Sequence, residues 1–205
     1  MAKWEFFPEE YIYKKDGRIF PERSILRNIQ KYSDSQMLKM DMFAMSLSDG
    51  EITIQQWTLR MREVIKRTHI VQYIIARGGL DRMTQSDWGR IGWVLRNQYA
   101  FLNQFANAIS GGNLTVAQIQ ARSAMYINAA RESYERGKAQ GAFGLFLPAY
   151  PGDGTTECLS NCQCHWNIQN MEDHYECTWT LGEAEHCNTC VVRASTWKGL
   201  IFPKL

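Results

Sequence analysis

The chain has 205 residues, 45% of them apolar and 21% charged, which fits a globular protein with a sizeable core and excludes a wholly disordered chain. Its formal net charge of +2 is too small to imply nucleic-acid or membrane binding by itself. The longest stretch without Asp, Glu, Lys or Arg, Asn97 to Ala121, is broken by Asn, Gln and Gly111-Gly112 and excludes a transmembrane helix, and the start MAKWEFFPEEYIY shows no secretory signal.

In chain order, Tyr11 to Lys15 and Arg18 to Phe20 flank Asp16-Gly17, a pair suited to a tight turn. Residues 1–20 are therefore expected to form an N-terminal β-hairpin covering one end of a helical core. A helix from about Pro21 to Leu47 carries Ile25, Ile29, Tyr32, Met40, Phe43 and Leu47 at helical spacing. Three further helix starts repeat one grammar: Ile52-Thr53 to Gln56-Trp57, Met83-Thr84 to Asp87-Trp88, and Leu114-Thr115 to Gln118-Ile119. In each, Thr caps the helix, an acceptor side chain three residues later returns the bond, and flanking apolar residues form a staple; the Asp case is the looser box.

Gly50, Gly78-Gly79 and Gly111-Gly112 supply the matching stops. Between them run Ile54, Trp57, Met61, Val64, Ile65 and Thr68, then Ile91, Val94, Leu95, Phe101, Leu102 and Phe105, then Ile119, Tyr126, Ala130 and Tyr134. Short connections favour antiparallel neighbours, so residues 21–140 read as a body of about four helices and the fold class as mainly α. Met37, Met40, Met42 and Met45 point in several directions; core packing is the first expectation for them and a partner-adaptable surface the second. His69 reads as a satisfied or exposed residue of an amphipathic helix, and the basic run Arg60 to Arg67 as a solvated face.

Residues 141–157, rich in Gly and Pro, forbid a continuing helix, and their Phe and Leu residues suggest an extended segment lying against a surface. Phe143, Leu145, Phe146, Leu147 and Tyr150 are also a candidate partner surface, since no charge lies among them. Residues 158–205 form a cysteine-rich module in which Cys164 to Gln169 and His174 to Leu181 read as strands of a hairpin and Val191 to Lys198 as a short helix.

All six cysteines fall between Cys158 and Cys190. A cysteine-free first three quarters followed by a dense cluster points to a metal site rather than an oxidised scaffold. Zinc takes four ligands in a tetrahedron, and two separated cysteine groups supply them. Cys187 and Cys190, spaced C-x2-C before a helix, form one half; the other comes from Cys158, Cys162 and Cys164, and spacing does not select two of the three. Cys177 lies within a strand and reads as a packed thiol, and His186 as a flanking residue.

A zinc surrounded by thiolates is closed and chemically quiet, so a structural ion and no enzymatic activity are expected. Asp173-His174 resembles the Asp-His pair of HNH nucleases, but the last helix, VVRASTWK, offers no His or Asn to complete such a site. Between Cys158 and Cys190 there are five acids (Glu172, Asp173, Glu176, Glu183, Glu185) and no Lys or Arg, so the phosphate-neutralising charge of a DNA-binding ribbon is missing.

Arg122 to Gly137 (RSAMYINAARESYERG), Leu147 to Trp166 (LPAYPGDGTTECLSNCQCHW) and Trp179 to Trp197 (WTLGEAEHCNTCVVRASTW) resemble the minor head, or head morphogenesis, proteins of tailed bacteriophages. Arg60 to Gly79 and Met83 to Gly92 resemble the same group. In members of that family the two cysteine motifs occur in either order, and Cys177 is not part of the pattern. The resemblance implies a virion or procapsid component made in the host cytoplasm and present in several copies per particle. It would touch portal or major capsid subunits, and packaged DNA at most weakly. The alternatives from other classes are a zinc-dependent nuclease or DNA-processing protein, and a cytosolic protein-binding regulator.

Overall fold

Three threonine caps set the helical frame. In the computed structural model, which describes residues 5–7, 12–15, 18–183 and 185–204, Thr53, Thr84 and Thr115 each close a reciprocal capping box with Gln56, Asp87 and Gln118. These boxes open α2 (Ile54–Ala76), α3 (Gln85–Ser110) and α4 (Val116–Asn128), while α1 (Glu22–Ser48) starts directly after Pro21. The Asp box is the best connected of the three. Asp87 accepts from the main-chain N–H and the hydroxyl of Thr84, and its Oδ1 lies 2.8 Å from the Tyr73 hydroxyl. Arg77 at 3.1 Å and Arg90 at 3.2 Å complete the group. Burial pushes the Asp87 carboxyl up, but these hydrogen bonds and Arg77 outweigh it and hold the group below its ordinary value.

The expected fourth helix is two helices, divided at Ala129 into α4 and α5 (Ala130–Ala142). The main chain of Gly152, in the left-handed region at φ 83°, lies against this joint, close to the Asn128 and Ala129 carbonyls and the Glu132 N–H. The principal core gathers Met40, Trp57, Met61, Ile65, Leu95, Leu102, Phe105 and Ile119 from α1 to α4. Phe101, expected among them, is exposed, because its position on α3 faces away from that core. Met40 is fully buried and Met37 packs at the core edge, whereas Met42 and Met45 are exposed.

Strands β1 (Glu5–Phe7), β2 (Ile12–Lys15) and β3 (Arg18–Pro21) form an antiparallel sheet, one strand more than the expected hairpin. Tyr11 and the Asp16-Gly17 pair lie outside the described residues. The C-terminal hairpin, β4 (His165–Asn170) and β5 (His174–Thr180), likewise gains a third strand, β6 (Leu200–Pro203), which follows α6 (Asn188–Thr196) and pairs with β5. Among the described residues, no helix is long and apolar enough to cross a membrane.

The segment after α5 is core rather than linker surface. Phe143, Leu145, Leu147 and Tyr150 are buried in a second cluster with Cys162, Cys164, Trp166, Ile168 and Trp179, and Ala139 of α5 joins it. Of the apolar residues of this segment offered as a partner surface, Phe146 alone is exposed. The alternation Phe143, Leu145, Leu147 places one face of an extended chain against the sheet, which the composition of the segment did not distinguish from a free apolar patch.

Helix α5 is polar in sequence and almost wholly buried. Glu132 pairs with Arg136 at 2.6 Å, and Lys138 reaches Glu22 at 2.8 Å. The Tyr134 hydroxyl donates to the same Glu22, and Gln140 stands 3.0 Å from the Tyr73 hydroxyl. Gly137 lets α2 approach: a Cβ there would stand 2.9 Å from that of Ala76 and 3.0 Å from the Tyr73 carbonyl oxygen. Gly137→Ala is therefore expected to lower the melting temperature despite alanine's better helix propensity, by an overpacking cost of about 1–3 kcal/mol.

His69, expected to be satisfied or exposed, is fully buried and half satisfied. Its Nδ1 shares a 2.8 Å hydrogen bond with Ser133 of α5, while the buried Nε2 has no partner among the described residues. Burial pushes its pKa down to about 3. The unfolded chain takes up this proton near pH 6.5 and the native state resists it, so stability is full above that pH and falls towards pH 3. The slope attributable to one such group approaches ~1.4 kcal/mol per pH unit. Denaturant titrations between pH 6.5 and 4.5 are expected to show that slope in the parent chain and a flatter one in His69→Gln.

Candidate metal centre

Two short elements bring the cysteines together. A 3-10 turn, Leu159–Asn161, carries Cys158 and Cys162 at its two ends. It holds Leu159 at φ 50°, a left-handed conformation that costs a residue with a Cβ about 1–2 kcal/mol. The Leu159 N–H donates to Thr156 and the Asn161 N–H to Cys158, so the turn is closed by its own main chain. Beyond the β4–β5 hairpin along the chain, Cys187 stands at the N-terminal end of α6, and Cys190 follows in its first turn.

The Sγ atoms of Cys158, Cys162 and Cys190 all lie within 4.8 Å of one another. Cys162 and Cys190 are 3.6 Å apart, Cys158 and Cys190 3.9 Å, and Cys187 stands 3.7 Å from Cys158. Cys164 is buried beside Cys190. All six thiols are free. Four of the five expected ligands are thus linked sulfur to sulfur, with Cys164 adjoining, and the three that gather most tightly could hold a metal ion.

The surroundings fix this cluster. The Thr156 hydroxyl sits 3.1 Å from the Cys158 sulfur, and Glu157 accepts from the Thr189 N–H of α6 at 3.2 Å. Arg193 donates to Thr155 at 2.8 Å, which ties the same segment to the next turn of α6. Behind it Trp166, Trp179 and Trp197 pack with ring centroids 5.3–5.8 Å apart, and the Arg193 guanidinium lies over the last two. The Trp166 indole donates to the Ala149 carbonyl and draws the extended segment onto the sheet.

The thiols differ in acidity for physical reasons. Burial first, and then the neighbouring thiols, push Cys190 far above the ordinary range, and Cys158 is raised mainly by burial. Burial acts in the same direction on Cys187, but main-chain N–H groups of Cys190 and Cys158 outweigh it and leave this thiol the more acidic. Thiolates crowded at these distances repel one another unless a cation stands among them, which makes the arrangement suited to a metal.

Cys177 is elsewhere. It is fully buried on β5 opposite Ile168, and burial pushes its thiol up to about 11, so it is a packed thiol. His186 is not a member of the close group. Asp173 and His174 do bond each other, 2.5 Å apart, but at the β4–β5 turn. Six residues of β4 separate that turn from the thiol end, about 20 Å of strand. The residues that sequence reasoning missed are Thr156, Glu157 and Arg193. Their one signal is proximity to the cysteine motifs, because the bonds between positions 155–157 and α6 arise only in the folded chain.

Cys158→Ser and Cys190→Ser are each expected to abolish stoichiometric metal in purified reduced protein, read by elemental analysis, whereas Cys177→Ala leaves metal content unchanged. Compared with known proteins, the chain matches no family model, no curated protein and no solved structure.

Proposed function

We propose that this protein works by protein contact rather than by catalysis, as a minor head component of a tailed phage, and that a structural zinc ion locks its C-terminal module. The observation that carries the reading is the spacing of the thiols. Zinc–sulfur bonds of ~2.3 Å in a tetrahedron put the sulfurs about 3.8 Å apart, against the 3.6, 3.7 and 3.9 Å found here. Cys158, Cys162, Cys187 and Cys190 are the ligand set this supports, with Cys164 left as a buried neighbour. Four thiolates leave no open position for substrate, so the ion supplies cross-linking energy to a small module and no reaction.

The thiolates add negative charge to a module already rich in acids, which disfavours a DNA backbone as its partner. The Asp173–His174 pair, distant from the thiols, gives the nuclease alternative no metal to work with there. Protein contact has a candidate surface instead. Leu38, Met42 and Met45, at i, i+4 and i+7 on α1, are 65%, 65% and 53% exposed, an apolar stripe that the described residues leave uncovered. It is suited to docking on a portal or major capsid subunit, and the resemblance in residues 122–137, 147–166 and 179–197 supplies the phage setting.

Particles washed stringently are expected to retain the protein in fixed stoichiometry with about one zinc per chain, by the ligand count of a closed site. Changing Met42 and Met45 together to Glu is expected to lower incorporation severalfold while melting temperature and zinc content stay unchanged, because both side chains are exposed. Unaltered incorporation would remove α1 from the interface. Divalent-dependent DNA cleavage lost in His174→Ala would replace this reading with the nuclease.

A further inference from the structure

The two ends of the chain carry opposite charge. Residues 22–142 hold sixteen Lys and Arg against ten Asp and Glu, whereas residues 143–205 hold three against seven. The excess positive charge meets an apolar floor in one groove between α2 and α3, of about 620 Å³, lined by Leu59, Arg62, Lys66, Gly92, Arg96 and Tyr99. Its one acid, Glu63, is itself mostly exposed and 4.0 Å from Lys66. Arg62 lies over the Tyr99 ring and donates to Asn103, and neither it nor Arg96 has an ion-pair partner among the described residues.

Gly92 adds a second observation. It sits in the middle of α3, where glycine costs about 1 kcal/mol relative to alanine, and beyond the adjoining backbone of its own helix no atom of the described residues lies within 4 Å of where its Cβ would be. Nothing among the described residues requires that position to be bare. A bare main chain on the floor of a cationic groove admits the close approach of another chain.

The complementary surface is the far end of the C-terminal sheet. Glu172 and Asp173 form the β4–β5 turn beside exposed Met171, and Glu176 on β5 pairs across the sheet with Ile201, which is 67% exposed on the edge strand β6. Among the described residues the one Lys or Arg there, Lys204, donates to the carbonyls of Met171 and Glu172 and lies over Tyr175. This tip is acidic with two apolar side chains; the groove is basic with an apolar floor. Neither α2 nor α3 packs substantially against the sheet, so the two surfaces are displayed on separate parts of the molecule.

We propose that the acidic tip of one copy docks in the α2–α3 groove of the next, joining copies head to tail. Such a contact is heterologous, and it propagates as a chain or closes as a ring according to the rotation between copies. A compact tip with apolar side chains suits this groove better than a nucleic acid does, because three cations around a leucine floor give no extended stripe for a phosphate backbone to track.

Sedimentation of the full chain tests the proposal. In ~20 mM salt the weight-average mass is expected to rise with concentration above that of the monomer, and to return to it in ~500 mM salt, where the Debye length is only a few ångströms. Lys66→Glu with Arg96→Glu, and separately Glu172→Lys with Asp173→Lys, are each expected to be monomeric at low salt with unchanged circular dichroism and metal content. Mixing the two double variants pairs an intact tip with an intact groove and a lysine tip with a glutamate groove, and renewed salt-sensitive assembly is the expected result. Assembly that survives both double variants would place the contact elsewhere, on α1 for example, and overturn the proposal. So would a parent chain monomeric at low salt, including one whose groove variant instead loses binding to a double-stranded DNA oligomer.

Discussion

The approach of α2 to α5 is the contact on which the rest of the molecule depends. Gly137 permits it sterically, and a set of paired polar groups makes it tolerable energetically: Ser133 with His69, Gln140 with Tyr73, Lys138 and Tyr134 with Glu22. Each of these groups would be costly if buried alone. Together they hold a helix of low apolar content against α2, with Glu22 of α1 reaching it, in a place usually taken by an aliphatic one. Burial still pushes the Glu132 carboxyl above its ordinary value even with Arg136 beside it.

The same helix couples the two cores. Its Ala139 belongs to the C-terminal cluster, its start at Ala129 receives the Gly152 main chain, and Asn128 just before it donates to Asn161 in the turn that carries Cys158 and Cys162. The cysteine module is therefore seated on the helical body. A disturbance at the α2–α5 contact has a short physical route to the thiols through packed main chain, and a disturbance at the thiols has the same route back.

Much of this was legible in sequence, wherever a short-range rule applied. The three Thr boxes fixed the starts of α2, α3 and α4 because each is closed within four residues, and the two cysteine motifs marked the place of the thiol cluster because a ligand type announces itself. What was illegible needed a partner far along the chain. The polar string ARESYERGKAQGA, where α5 lies, has no apolar stripe to reveal its burial, since its neighbours on α1 and α2 satisfy it. Strand β6 is four residues ending in Pro and is specified by its pairing with β5. The burial of Phe143, Leu145 and Leu147 depends on a sheet that forms later in the chain.

The order of the cysteines along the chain has a topological consequence. An ion shared between Cys158–Cys162 and Cys187–Cys190 would tie off a loop of about 25 residues that contains β4 and β5. Closing a loop of that length restricts the unfolded chain by an amount comparable to a disulfide, about 3 kcal/mol. Strand β6 lies outside the knot, after α6, and is held by its ladder to β5 and by Lys204. The sheet would then be kinetically unequal, with two strands locked inside a closed ring of chain and a third free to peel from the edge and re-anneal without the ring ever opening.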